Sequence, residues 1–263
     1  MIEDPRPETW EELQNGVCRL FNEIGLDAEV GKVLSTPRGK VEIDVYAVDE
    51  NSVDKIRYLV ECKNWLTAVP QSVVHSFTTV VHEVGGNIGY IISQKGLQAG
   101  AIDYTKNTNI IGLTYDEFQR RYFPVWYERH FVPQVGDVVD ALSQYVEPIN
   151  SRRERHLEQI PNDKQKEFRL LRDRYFAFGI SMAFFEFPRY SPHFAVAVPG
   201  DIENLRGKLA ELGEEFNFKS QYFRDLLIEI RQKVTSVTEK FNKVFGGNIF
   251  AEPGVEADRL RAG

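Results

Sequence analysis

Residues 87–93, Asn-Ile-Gly-Tyr-Ile-Ile-Ser, constrain this chain more than any other stretch. They read as a short strand that is apolar on both faces, and such a strand has to be covered on both sides. The segments around it supply the cover. Residues 69–86, "VPQSVVHSFTTVVHEVGG", have helical spacing, with Pro70 near the start and Gly85–Gly86 at the end. Residues 94–109 read as a loop and a helix, and residues 110–126 as a short strand followed by a helix.

Upstream the pattern is different. "TWEELQNGVCRLFNEIG" predicts a helix with Thr9 as N-cap, Glu12 as its capping-box partner and Gly25 as its stop. Residues 27–36 predict a first strand, "PRG" a turn, and residues 40–50 a second strand. "NSVDK" is then a turn, and "IRYLVECK", residues 56–63, a third strand forming a hairpin with the second. The order α-β-β-β-α-β-α-β-α describes an α/β domain, a mixed β-sheet flanked by helices.

This domain is expected over residues 1–130. Residues 131–150, with prolines near both ends, read as a linker containing one short helix. Residues 151–263 read as a separate helix-rich C-terminal domain, with two helices over 200–247 and a loose tail after 251. Its role is open among recognition, oligomerisation and regulation. The formal net charge is −7: residues 1–130 carry 13 Lys/Arg against 19 Asp/Glu, and the remainder 19 against 20. A surface coated in positive charge for non-specific polyanion binding is therefore excluded. No apolar run approaches the ~20 residues that span a bilayer, and the acidic start "MIEDPRPETW" does not read as a signal peptide. Two distant cysteines, Cys18 and Cys62, fit a reducing cytoplasm. P-loop, dinucleotide, serine-elbow and zinc spacings are absent from the sequence.

The residues with chemistry lie on the hairpin. Side chains alternate along a strand, so Glu61 and Lys63 share a face, and a hairpin turning near 49–55 brings Asp44 close to them. Two carboxylates at one place suit Mg²⁺, which uses one or two carboxylates with water and phosphate oxygens. Such an ion polarises a phosphoryl oxygen and acidifies a bound water. A lysine beside that water orients it or stabilises developing charge. Asp, Glu and Lys at this spacing also arise by chance at solvated strand ends.

The surrounding residues settle which applies. "EIDVYA", "LVECKNW", "VPQSVVHSF" and "GYIISQKGLQAGAIDYTKNTNIIGLTYDEF" resemble the Mrr-like branch of the PD-(D/E)xK restriction endonucleases, from about Trp10 to Trp126. The resemblance implies a restriction-endonuclease-like sheet of four or five strands and cleavage of DNA dependent on Mg²⁺ or Mn²⁺. It places Asp44 and Glu61 as metal ligands, Lys63 as the catalytic lysine and Gln71 as a further catalytic residue near the metal or a phosphate. The chain departs from the family pattern in the first helix, where a glutamate is common near Gln14. Either Gln14 or Glu11, one turn earlier, takes that part.

Three further groups are candidates. His75, one turn after Gln71, either contacts substrate or packs. Arg38 and Lys40, ahead of the Asp44 strand, and Lys95, after the apolar strand, are candidate DNA contacts. Trp65, Trp126 and the aromatic run over 175–194 are expected to be packing residues. The function expected is a metal-dependent DNA endonuclease in cytoplasmic restriction or antiviral defence, acting as a homodimer or larger oligomer or with a partner protein of a defence system, with no membrane. The alternative is a nuclease fold kept as an inactive module for DNA binding or assembly. DNA or RNA as substrate stays open.

Overall fold

The computed structural model describes residues 1–185 and 198–251. The chain divides into two compact units, Met1–His130 and Phe131–Gly263. The end of the aromatic run, from residue 186, and the tail from 252 lie outside the described residues.

In the first unit, α1 (Trp10–Glu23) precedes β1 (Asp27–Thr36), β2 (Gly39–Val48) and β3 (Arg57–Lys63). Then come α2 (Gln71–Glu83), β4 (Ile88–Ser93), α3 (Ala99–Thr105), β5 (Ile110–Thr114) and α4 (Tyr115–Trp126). The sheet order is β1-β2-β3-β4-β5; β1-β2-β3 are antiparallel and β3-β4-β5 parallel. This is the mixed sheet that the hairpin followed by helical crossovers predicts.

The apolar β4 is covered on both sides, as required. Toward α2 and α3 lies a cluster including Ile43, Leu59, Val74, Phe77, Val81, Ile91 and Ile110. On the opposite face, Phe21 of α1 meets the rings of Tyr58, Tyr90, Phe118 and Tyr122 at centroid distances of 5.3–6.4 Å. Gly89 of β4 permits the close approach of α2: a Cβ there would lie 2.6 Å from Ile110 Cδ1 and 2.9 Å from Val81 Cγ2.

The cap of α1 differs from the expectation in one bond. Thr9 Oγ1 accepts from the Glu12 N–H at 3.1 Å, but the Glu12 carboxylate accepts from the Glu8 N–H, not from Thr9. A full capping box forms instead at α4, between Thr114 and Glu117.

A π-helical turn, Tyr127–Phe131, leads to α5 (Val132–Val146). After it come α6 (Ser151–Gln159), α7 (Asn162–Ala183), α8 (Ile202–Ala210), a 3₁₀ turn at Glu214–Phe216, and α9 (Phe223–Phe245). The helix expected within residues 131–150 is longer than the short one read from the sequence. Those residues form a 15-residue helix with Val132, Val135, Gly136, Val139, Leu142, Tyr145 and Val146 buried. Pro133 sits in its first turn, where no N–H is needed, and Pro148 lies just past its end. The prolines mark the two ends of a helix, not a loop.

The core of the second unit is aromatic. Tyr145 of α5 stacks on Phe241 of α9 at 5.1 Å, Phe168 of α7 meets Phe241 edge-on at 5.7 Å, and Phe178 stacks on Phe216 at 4.0 Å. Arg153, fully buried, donates to the carbonyls of Gln144, Tyr145 and Glu147 at 3.3, 3.2 and 2.7 Å. Arg172 adds a bond to Glu147 O at 3.2 Å. Two arginines from the most basic stretches thus satisfy the orphaned carbonyls at the end of α5. Among the described residues, no helix is long and apolar enough to cross a membrane.

Candidate active site

The site begins where a ladder stops. β2 and β3 pair from Val48↔Arg57 to Val45↔Val60, and no further. β3 stays paired with β4 up to Lys63↔Ser93, so residues 61–63 are bound on one edge and open toward β2 on the other. Opposite Asp44 on β1 is Gly31, flanked by the pairs Val30↔Val45 and Lys32↔Ile43, with φ at +68°. Ile43 and Tyr46 both pack toward α2 although they are three apart, so the side-chain alternation of β2 slips by one across Asp44.

Asp44 fills the gap edge-on. Its Oδ2 accepts the Cys62 N–H at 2.7 Å, replacing the strand-to-strand bond that β2 no longer makes. Gln14 of α1, nearly fully buried, hydrogen-bonds the same carboxylate. The other side of Cys62 is held as well: its carbonyl accepts from the Trp10 indole N–H at 3.1 Å. Cys62 itself is buried, and burial pushes its thiol pKa well up.

Glu61 and Lys63 project together, as their spacing predicts, and form an ion pair of 2.5 Å. Burial raises the Asp44 pKa above the usual carboxylate value. The negative Glu61 adds to this, while the Cys62 N–H, Lys63 and Gln14 oppose it. Glu61 therefore sits close enough to Asp44 to disfavour the charge on that carboxylate. Hard oxygen donors in this arrangement fit a magnesium or manganese ion, which would relieve that repulsion. Among the described residues, no group of three His, Cys, Asp or Glu side chains gathers around one point, so water or phosphate oxygens would complete the shell.

An open cleft of about 510 Å³ lies against Glu61 and Lys63, with Val41, Trp65, Ser72 and Ser76 among its walls. A neighbouring cleft of about 430 Å³ shares Val41, Ser76 and Val80 with it and adds Arg38, Lys40 and His75. Arg38 is paired there with Glu83 at 2.9 Å.

Some expected residues stand elsewhere. Gln71 does not line the cleft with Glu61 and Lys63. Its Nε2 lies 3.2 Å from His75 Nε2, and its Oε1 is against Gly100 of α3. The cause is the rotation of α2, which turns Ser72, Val73 and Ser76 to the cleft and Gln71 toward α3. His75 packs on Tyr104 at 4.1 Å. Glu11 is exposed, and Gln14 rather than Glu11 reaches Asp44. Lys95 is exposed on the loop after β4 and lines neither cleft.

Two residues were not marked by their sequence context. Trp10 reads as one more apolar position of α1, yet its indole binds the site's backbone. Trp65 reads as a packing residue, yet it is 41% exposed and lines the cleft, with Lys63 Nζ 5.5 Å from its ring centroid. Its place two residues after Lys63 is the signal that could have found it.

Residues 6–122 match a family model, Mrr_cat, described as restriction endonuclease. No curated protein matches the chain. Among solved structures, a crystal structure of a protein of unknown function aligns over 90% of this chain and 98% of its own, at 16% identity and a TM-score of 0.38. That likeness is too low to support a fold assignment.

Proposed function

We infer, from the match of residues 6–122 to a restriction-endonuclease family model, that this protein is a metal-dependent nuclease hydrolysing DNA phosphodiester bonds. The observation that supports the reading best is the parting of β2 and β3 at Asp44, with the Glu61–Lys63 pair beside it.

Asp44 and Glu61 are the residues that would hold Mg²⁺ or Mn²⁺. When bound, the ion supplies Lewis-acid polarisation of a phosphate oxygen and a more acidic water. Gln14 and the Cys62 N–H fix the Asp44 carboxylate, so that one of its oxygens is already turned. Lys63 carries a positive charge at the edge of the open cleft, restrained by Glu61. From there its ammonium can donate to an attacking water or to a phosphate oxygen as negative charge builds up. Trp10 holds the Cys62 carbonyl and with it the orientation of the Glu61-Cys62-Lys63 segment. By family analogy the setting is restriction or antiviral defence in a cytoplasm, with self-association or a partner protein.

The test is cleavage of plasmid and linear DNA, modified and unmodified, with Mg²⁺ or Mn²⁺ and with EDTA. The wild type is expected to cut only with metal. Lys63→Ala and Asp44→Asn are each expected to lose at least about 10²-fold in rate, the scale set by removing one group that stabilises transition-state charge. Equal cutting by wild type and variants would overturn the reading. Binding without any cutting by the wild type would mark the domain as a non-catalytic DNA-binding module.

A further inference from the structure

The loop that follows β3 exposes two large apolar side chains next to the site: Trp65 at 41% and Leu66 at 80%. Trp65 forms a wall of the cleft that also contains Glu61 and Lys63. The rest of that cleft is mostly apolar or hydroxylic, with Val41, Val73 and Val80 against Ser72 and Ser76, and Glu42 adds one carboxylate.

Cations are few along this surface. Lys63 is paired with Glu61, Arg38 of the adjoining cleft is paired with Glu83, and Lys40 is the further cation of that cleft. The unit as a whole carries 13 Lys/Arg against 19 Asp/Glu. A double helix presents one phosphate charge per ~1.7 Å of axis, and surfaces that grip it neutralise many of them. An exposed aromatic face with a lysine beside it instead offers what one unpaired nucleotide needs, a platform for the base and a cation for its phosphate.

We propose that Trp65 is a stacking platform for an unpaired base beside the scissile phosphate, and that the cleft accepts DNA as a locally single strand. The proposal rests on the nuclease reading for its substrate class, but it concerns binding and not cleavage. One base lies on the Trp65 ring. Its backbone runs past Lys63 on one side and the Ser72 and Ser76 hydroxyls on the other. A duplex enters only where it is frayed, bubbled or has a base turned out.

The test is fluorescence anisotropy in EDTA, where no cutting occurs. The probes are a labelled 12-nucleotide strand, its duplex, and the same strand with abasic positions. The full-length wild type is expected to bind the single strand about 10-fold more tightly than the duplex. Trp65→Ala is expected to lose roughly 5- to 100-fold on the single strand, the loss associated with one stacked base. It should lose little on the duplex and be indifferent to the abasic positions that weaken the wild type. Trp65→Phe should retain most of the affinity. The proposal is overturned if the duplex binds as tightly as the single strand. It is equally overturned if Trp65→Ala lowers both alike, which would make the ring a merely structural support, or if it lowers neither. Loss of cutting in Lys63→Ala tests the nuclease reading separately, so failure of one does not imply failure of the other.

Discussion

Asp44 keeps a carboxylate in a place that disfavours its charge. Burial is the leading cause, reinforced by Glu61, and its pKa in the folded chain is raised above the ordinary value. A raised folded pKa means that the stabilising contribution is present below the unfolded pKa and is lost as pH rises through the folded one. At neutral pH the ionised group therefore works against folding. Asp44→Asn keeps an oxygen for the Cys62 N–H and removes the charge. Its melting temperature at pH 7 is expected to exceed that of wild type by roughly 2–4 °C. The gap should close as pH falls below that of an ordinary aspartate. A thermal melt series over pH checks this, and a less stable Asn variant at pH 7 would show that the attraction to Lys63 outweighs burial. The pairing of Glu61 with Lys63 was legible in the sequence, because a period of two fixes it. The place of Gln71 was not, because the direction of a first-turn side chain depends on how α2 is rotated over the sheet, and that is set by Val74, Phe77 and Val81 in the core.

At the level of elements, strands announce themselves and helix ends mislead. The apolar β4 dictated a sheet covered on both faces, and the structure has it. The prolines around α5 suggested a linker, although Pro133 and Pro148 are where a helix best tolerates them. The device that closes α5 was invisible, because Arg153 acts from the next helix across a turn. Its Nη1 meets three carbonyls while Nε and Nη2 hold the Glu154 carboxylate, a set of five contacts that one ammonium with three donors cannot reproduce. Arg153→Met is expected to destabilise the second unit by about 3 kcal/mol, the upper range for buried polar groups left without partners. Arg153→Lys should recover only part of this. Urea titration followed by far-ultraviolet circular dichroism measures both, and a variant as stable as wild type would show that water reaches those carbonyls.

At the scale of the whole molecule, the basic stretches are divided between interior and surface. The stretches "SRRERH" and "RLLRDR" look like a basic face in the sequence. In the structure Arg153 is buried and Arg172 caps α5, while Arg152, Arg155, Arg169 and Arg174 are exposed, the last paired with Glu215 at 2.7 Å. With Lys63 the one cation among the described residues lining the cleft beside Trp65, binding of a single strand there should depend weakly on salt. A slope of log affinity against log salt near about −2 is expected, from two or three phosphates at ~0.7 each. A slope of about −5 or steeper would show that cations outside the cleft, such as the exposed Arg155 and Arg169, join the contact. The second half carries no motif, so its helices were legible from spacing but its task was not: aromatic packing such as Tyr145 on Phe241 specifies a fold without specifying a ligand.

The hydrogen bond from Cys62 to Asp44 has a practical consequence for any inactivated form of this protein. On the proposed reading the carboxylate is a metal ligand, and in the structure it is the clip that fastens an unzipped strand. Alanine at position 44 would remove both at once, and a silent enzyme could then be silent through a loosened β3. A faithful inert decoy, one that still displays the site to substrates and partners, has to keep the clip while dropping the charge.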